Sequence, residues 1–233
     1  MAMTVGNKQL SVAGACLALL ASVAILLSAS PLFAAGDEAV TADRAMTLLK
    51  EGNARFVEGK SESPNVGAAR LADTAANGQH PVVTVVSCSD SRVPVERIFD
   101  RGIGDVFVIR VAGNVCNTDE IGSVEYGADH LGTPLLVVLG HTGCGAVTAA
   151  VIKATVHGCI PALINNITPA VAAAKKANPG MADKELVNEA IKANVWQSIA
   201  DVYRRSAATR ERIKTGKLIV VGAVYNISDG KVA

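Results

Sequence analysis

The chain has 233 residues, half of them hydrophobic and only 3% aromatic, with 22 Lys and Arg set against 21 Asp and Glu. A net charge of +1, without a basic run or interleaved aromatic and basic residues, argues against nucleic acid as a partner. Roughly 200 residues beyond the amino-terminal stretch are enough for one domain with its own core.

Lys8 is the only charged residue before Asp37, and between them runs an apolar stretch from Leu10 to Ala29, then Ser30-Pro31-Leu32-Phe33-Ala34-Ala35. A weakly positive start, an apolar middle and small residues at a break read as a secretory signal over residues 1–35, cut after Ala34 or Ala35. The stretch is also near the ~20 residues a membrane span needs, so an uncleaved anchor is the alternative. Residues 36–233 then form a single domain, exported to the periplasm or held at the membrane. Removing Lys8 with the signal leaves 21 bases against 21 acids. Four cysteines remain, Cys88, Cys116, Cys144 and Cys159, too sparse for a disulfide-dependent scaffold. Cys116 and Cys159 are either buried thiols or a pair.

Thr41 to Glu58 repeats apolar residues at helical spacing (Ala45, Leu48, Leu49, Phe56, Val57), and Thr41 is placed to cap that helix. Gly59 to Gly78 is polar and rich in small residues, a loop or arm with room for one helical turn. Pro81 to Ser87 is a nearly continuous β-branched run, the pattern of a strand buried on both faces in a parallel sheet. Pro94 to Asp100 reads as a short helix and Asp105 to Val111 as a second strand. Thr118 to Leu131 is helical, Pro134 to Gly140 is the third strand, and Gly145 to Ala154 is helical again. A long helix runs from Asp183 to about Arg212, a fourth strand spans Lys217 to Tyr225, and Asp229-Gly230-Lys231 turns into a last strand. Alternating buried strands and helices predict an α/β fold with a mainly parallel sheet.

Two cassettes sit just past strand ends: Cys88-Ser89-Asp90-Ser91-Arg92 after the first, and His141-Thr142-Gly143-Cys144-Gly145 after the third. Sites of open α/β sheets lie beyond the carboxyl ends of the strands. Cys88, His141 and Cys144 offer two thiolates and an imidazole, a borderline-soft set that suits one Zn²⁺ per chain and leaves a tetrahedral metal one open position. Such a zinc lowers the pKa of bound water toward ~7, although two thiolates make it less acidifying than three imidazoles would. Asp90 and Arg92 are spaced to form a bidentate pair that keeps the carboxylate ionised and oriented. Asp90 then either accepts a hydrogen bond from zinc-bound water or takes the open position itself. His80, His130 and His157 lack partners at ligand spacing. His130 or His157 is left as a proton shuttle to buffer. Trp196 reads as core or interface.

With CSDSR at 88–92, RVAGN at 110–114 and GHTGCGAV at 140–147, the chain resembles the β-class carbonic anhydrases from about Thr41 to Gly230. The resemblance implies reversible hydration of CO₂ to bicarbonate and a proton. It implies Cys88, His141 and Cys144 as zinc ligands, with Asp90 and Arg92 orienting the hydroxide and Asp90 binding zinc only in a closed form. It also implies a central parallel sheet with an antiparallel edge strand, helices on both faces and an N-terminal helical arm, assembled as a homodimer or homotetramer. Members similar to the plant enzymes carry a Gln, a Phe and a Tyr at set offsets from the ligands, and Gln79, Phe107 and Tyr126 stand at those offsets here as substrate-binding residues. Val85 stands where the other pattern has the Trp of an inhibitory bicarbonate pocket, which implies an open, active site. Two alternatives share these cassettes: a hydrolase of a CO₂ analogue, carbonyl sulfide or carbon disulfide, and a zinc- or bicarbonate-binding protein without turnover. The intact Asp90–Arg92 pair speaks against the second.

Overall fold

The computed structural model describes residues 40–233, so the expected secretory segment, 1–35, lies outside the described residues. The first helix, α1 (Ala42–Val57), opens as its sequence predicts: Thr41 Oγ1 accepts the Arg44 amide at 3.2 Å, one of the donors a helix start leaves free. Ala45 and Leu49 are buried against the sheet. Gly52 meets the backbone of Phe99 so closely that a Cβ would lie 1.8 Å from the Phe99 carbonyl oxygen. Only glycine lets the helix approach that far.

Four strands form the sheet among the described residues: β1 (Val83–Ser87), β2 (Val106–Arg110), β3 (Leu135–His141) and β4 (Ile219–Tyr225), in the order β2-β1-β3-β4. Every pairing is parallel. All residues of β1 and β3, the two central strands, are buried, which is why both read as unbroken apolar runs. Alternate residues feed two layers. Val83, Val85, Leu135, Val137 and Leu139 pack with α1 and with Val95 and Ile98 of α3 (Val95–Ile98). Val86, Leu136 and Val138 pack with Ile121 and Val124 of α4 (Thr118–Glu125) and with Val195 and Val202 of α8 (Asp183–Arg205). Helices therefore cover both faces.

The expected antiparallel edge strand is not found among the described residues. Gly230, at φ 78°, completes a turn after β4, and the chain comes back only far enough to form one antiparallel bridge, Tyr225 to Val232. Val224 N donates to Ala233 O at 2.8 Å beside it.

Other departures have local causes. The segment expected to be a loop holds a ten-residue helix, α2 (Ala68–Asn77), none of whose residues is buried. It is fastened by polar contacts, Arg70 Nε to Ile103 O at 2.9 Å among them, so no apolar period marks it. The chain between β3 and β4 adds α5 (Gly145–Val151), α6 (Ile160–Asn165) and α7 (Thr168–Ala177) before α8. The long helix expected up to Arg212 breaks at Ser206, which is extended (φ −97°, ψ 111°) and starts α9 (Ala207–Lys214) by accepting the Thr209 amide at 3.0 Å. Cys116 and Cys159 are both free: Cys116 is buried and Cys159 exposed. No described helix is long and apolar enough to cross a membrane.

Candidate metal centre

The connection from β1 leaves toward β2, while that from β3 leaves toward β4, so the carboxyl ends of these neighbouring strands flank the point where the sheet order switches. Cys88 follows β1 directly, His141 ends β3, and Cys144 stands at the cap of α5. Their ligand atoms lie within 4.8 Å of one another, and all three residues are buried.

His141 is presented in one tautomer. Its Nδ1 lies 3.0 Å from the Thr142 carbonyl oxygen, which can only accept, so Nδ1 carries the proton. Nε2 keeps its lone pair, is buried, and has no hydrogen-bond partner among the described residues. Such an orphaned acceptor beside two sulfurs is what a metal ligand looks like without its metal. Thr142 is itself held: its N–H donates to Tyr225 O at 2.9 Å, and its Oγ1 accepts the Ile227 amide at 3.1 Å.

The two sulfurs differ in charge. Cys88 Sγ accepts the amides of Gly113 at 3.2 Å and Asp90 at 3.4 Å. With the Cys144 thiol as the strongest donor to it, and those amides adding to the effect against the cost of burial, the Cys88 thiol is drawn down from the ordinary thiol range. Cys144 moves the other way, raised by its bond to the Cys88 sulfur and by burial. The two sulfurs thus share one proton, which they would give up to hold a cation between them as two thiolates. Zinc bonds of ~2.3 Å to sulfur and ~2.0 Å to nitrogen put ligand atoms ~3.5–4 Å apart in a tetrahedron, which this cluster accommodates. Softness, tautomer and spacing all fit Zn²⁺.

Asp90 stands beside the cluster and outside it. Arg92 Nε donates to Oδ1 at 2.9 Å and Nη2 to Oδ2 at 2.7 Å, and the Arg92 amide adds a third bond to Oδ1 at 2.9 Å. Arg92 above all, then its backbone amide, hold the Asp90 carboxyl below the usual carboxylate range. Oδ2 lies 3.9 Å from His141 Nε2, so the carboxylate faces the space the ligands share. Arg92 Nη2 also reaches Gly143 O at 3.2 Å, joining the two cassettes.

Arg110 was not legible as a site residue. From β2 its Nε donates to Cys88 O at 3.1 Å and its Nη2 to Asp90 O at 2.7 Å, gripping the backbone on either side of Ser89. Its sequence signal is the RVAGN segment at 110–114, which it opens at the end of an apolar strand and which by itself assigns the arginine no role.

The residues expected to bind substrate lie elsewhere in the chain. Gln79 is exposed in the loop before β1, at the amino end of the strand whose carboxyl end carries Cys88. Phe107 pairs in register with Thr84. Thr84 is four residues from Cys88, a separation of ~13 Å along the strand. Tyr126 stacks on Phe107, ring centroids 5.7 Å apart, and lies 4.7 Å from the His130 ring. The Phe107–Tyr126 wall therefore exists as a pair and does not adjoin this chain's own metal centre. His80 and His157 are exposed, and Trp196, 66% exposed on α8, is not core.

A model of the carbonic anhydrase family matches residues 83–232. Carbonic anhydrase 2 of Mycobacterium tuberculosis is 39% identical over 192 residues, spanning 80% of this chain and 89% of that protein. The carbonic anhydrase of Mycolicibacterium smegmatis is 37% identical over 193 residues, 81% of this chain and 90% of its own length. Among solved structures, the β-carbonic anhydrase CcaA superposes with a TM-score of 0.65 at 27% identity, covering 80% of this chain and 93% of that one. One of two tetrameric β-carbonic anhydrases from Sordaria macrospora gives 0.64 at 25% identity, with 78% and 92% covered. Family model, relatives and fold agree with the Cys88–His141–Cys144 cluster, and the chain belongs to the β-class of the carbonic anhydrase family of enzymes.

Proposed function

We propose that this protein is a zinc-dependent carbonic anhydrase that hydrates CO₂ reversibly to bicarbonate and a proton, with Cys88, His141 and Cys144 holding one Zn²⁺ per chain. The observation that carries the reading is the buried, unpartnered Nε2 of His141 facing two cysteine sulfurs, with a clamped carboxylate alongside. When bound, zinc supplies the Lewis acidity that makes hydroxide accessible near neutral pH.

The chain's own residues supply the rest. Asp90 is an acceptor only, because Arg92 keeps it ionised, so it orients the O–H of the attacking group and leaves an oxygen lone pair free for CO₂. Arg92, bonded to both Asp90 oxygens, fixes that direction. Arg110 holds the carbonyls of Cys88 and Asp90, which keeps ligand and carboxylate in register. Gln79, Phe107 and Tyr126 bind substrate, and since the wall stands ~13 Å from its own Cys88 along the sheet, it serves the centre of a second copy. The assembly is then a homodimer or a pair of dimers. One relative of the same fold is described as tetrameric.

Export rests on Lys8, the Leu10–Ala29 stretch and the small residues up to Ala35. Sequencing the amino terminus of periplasmic protein tests it, and a terminus at Met1 would favour the anchor.

The activity is tested by stopped-flow CO₂ hydration from about pH 6.5 to 9, with zinc measured on the same sample. Hydration with about one zinc per chain is expected. Zinc without hydration at any pH would overturn the reading and point to carbon disulfide or carbonyl sulfide as substrate.

A further inference from the structure

The face that α8 turns inward carries Leu186, Ala190, Ile191, Val195 and Val202, and in the middle of it two polar residues, Asn194 and Ser198, each 1% exposed. One helical turn apart in an apolar layer, both side chains need partners. Both find the same short turn, Ala112–Asn114, between β2 and α4. Asn194 Nδ2 donates to Gly113 O at 2.7 Å, and Ser198 Oγ donates to Asn114 O at 2.8 Å.

That turn touches the metal centre. The Gly113 amide donates to Cys88 Sγ at 3.2 Å, the shorter of the two amide contacts on that sulfur. Gly113 sits at φ 72°, and a Cβ there would come within 2.6 Å of Ile167 Cδ1, so the turn is also shaped from behind. Asn194 is bonded on one side only: its Oδ1 is buried without a partner among the described residues, as is Nδ2 of Asn114. A half-satisfied amide in an apolar layer is a poor choice for packing, where an apolar side chain of the same shape serves better. Positions that break a packing rule this way are expected where function sets the residue.

We propose that Asn194 is a positioning residue for the ligand Cys88: by holding the Gly113 carbonyl it aims the Gly113 N–H at Cys88 Sγ and so fixes where the sulfur points. Ser198 braces the next carbonyl of the turn. Without Asn194 the Gly113 carbonyl loses its link to the long helix, Ser198 holding only the next carbonyl, and the one amide on the sulfur still directed from elsewhere is that of Asp90 at 3.4 Å. The inference rests on the zinc reading above.

The test compares the wild-type protein with Asn194→Leu, Asn194→Ala and Ser198→Ala. Zinc stoichiometry, zinc release into excess chelator well below the melting temperature, and the sulfur-to-metal absorption band of the cobalt(II) form are measured on each. Release from Asn194→Leu is expected to be about ten- to a hundredfold faster than wild type, with the cobalt band shifted. Ser198→Ala, which spares Gly113, is expected to change less. Asn194→Ala carries the same test should the leucine fail to fold. A folded Asn194 variant with wild-type release and an unchanged cobalt band would overturn the proposal. A wild type that binds neither metal would overturn the zinc reading, and this inference with it.

Discussion

The carboxyl ends of β1 and β3 differ from the amino half of β1 and β2 in what one chain completes. At the carboxyl ends, three ligand atoms from two strand ends and a helix cap converge within 4.8 Å. In the amino half, Phe107 and Tyr126 stack at 5.7 Å with Tyr126 46% exposed, away from the three metal-ligand candidates of the same chain. Metal ligands must be held by short bonds, so the fold builds them into its most buried strands. An apolar wall requires only shape, and a second copy can present it.

Three substitutions probe that contrast. Cys144→Ser should have the largest effect: the alcohol stays protonated where the sulfur binds zinc as the thiolate, and zinc content should fall from about one per chain to near zero. Undiminished metal would remove Cys144 from the ligand set. Asp90→Asn comes next. The amide keeps the shape and offers the Arg92 guanidinium one acceptor in place of two. Zinc should stay while kcat/KM drops about a hundredfold or more. Full activity would mean that the carboxylate merely fills its loop. Phe107→Ala should cost about tenfold in kcat/KM, ~1.4 kcal/mol, at unchanged zinc. Co-assembled with the Cys144→Ser chain, it should give more activity than the two variants summed, because each zinc-bearing chain then meets an intact wall. Strict additivity would return the wall to its own chain.

How the sequence conveys this depends on what each residue answers to. Cys88, His141 and Cys144 are legible because their chemistry is their own and their places follow from two buried strands, whose apolar runs Val83–Ser87 and Leu135–His141 admit no other element. Arg110 and Asn194 are not, because what they do is donate to carbonyl groups distant in sequence, and a carbonyl leaves no trace in composition. The helix at Ala68–Asn77 escaped for a related reason: it buries nothing, so there is no period to read. Ser206 ends α8 because its hydroxyl accepts the Thr209 amide while donating to Glu125 at 2.6 Å, a tertiary bond that overrides a helical pattern continuing on both sides. The turn at Asp229-Gly230-Lys231 is legible and so is a last strand after it, but its antiparallel edge position is implied only by the resemblance, and among the described residues a single bridge takes its place.

The smallest expected effect on activity comes from a second aspartate–arginine pair, which separates positioning for chemistry from positioning for stability. Asp100 resembles Asp90: Arg55 Nε donates to it at 2.7 Å, and the amides of Glu62 at 3.0 Å and Ser63 at 2.8 Å complete its shell. It is buried where Asp90 is not: burial is the largest influence on it and acts upward, yet Arg55 and the two amides together leave its carboxyl below the ordinary range. A carboxylate depressed in the folded state contributes stability that is present above its unfolded pKa of ~3.9 and lost as pH falls through the lower folded value. Asp100→Asn puts an N–H donor where donors already point, so it should cost about 2–3 kcal/mol of stability at neutral pH. The gap to wild type should narrow as pH falls below ~4, where the wild type itself loses the contribution. CO₂ hydration by the folded variant should stay at the wild-type rate, since the pair holds α1 and the loop after it, away from both cassettes. Urea unfolding at neutral and acid pH, with activity measured beside it, checks both halves. A gap that stays constant with pH would show that Asp100 acts through shape alone. Lost activity in the folded variant would show that the α1 side of the sheet reaches the metal centre after all.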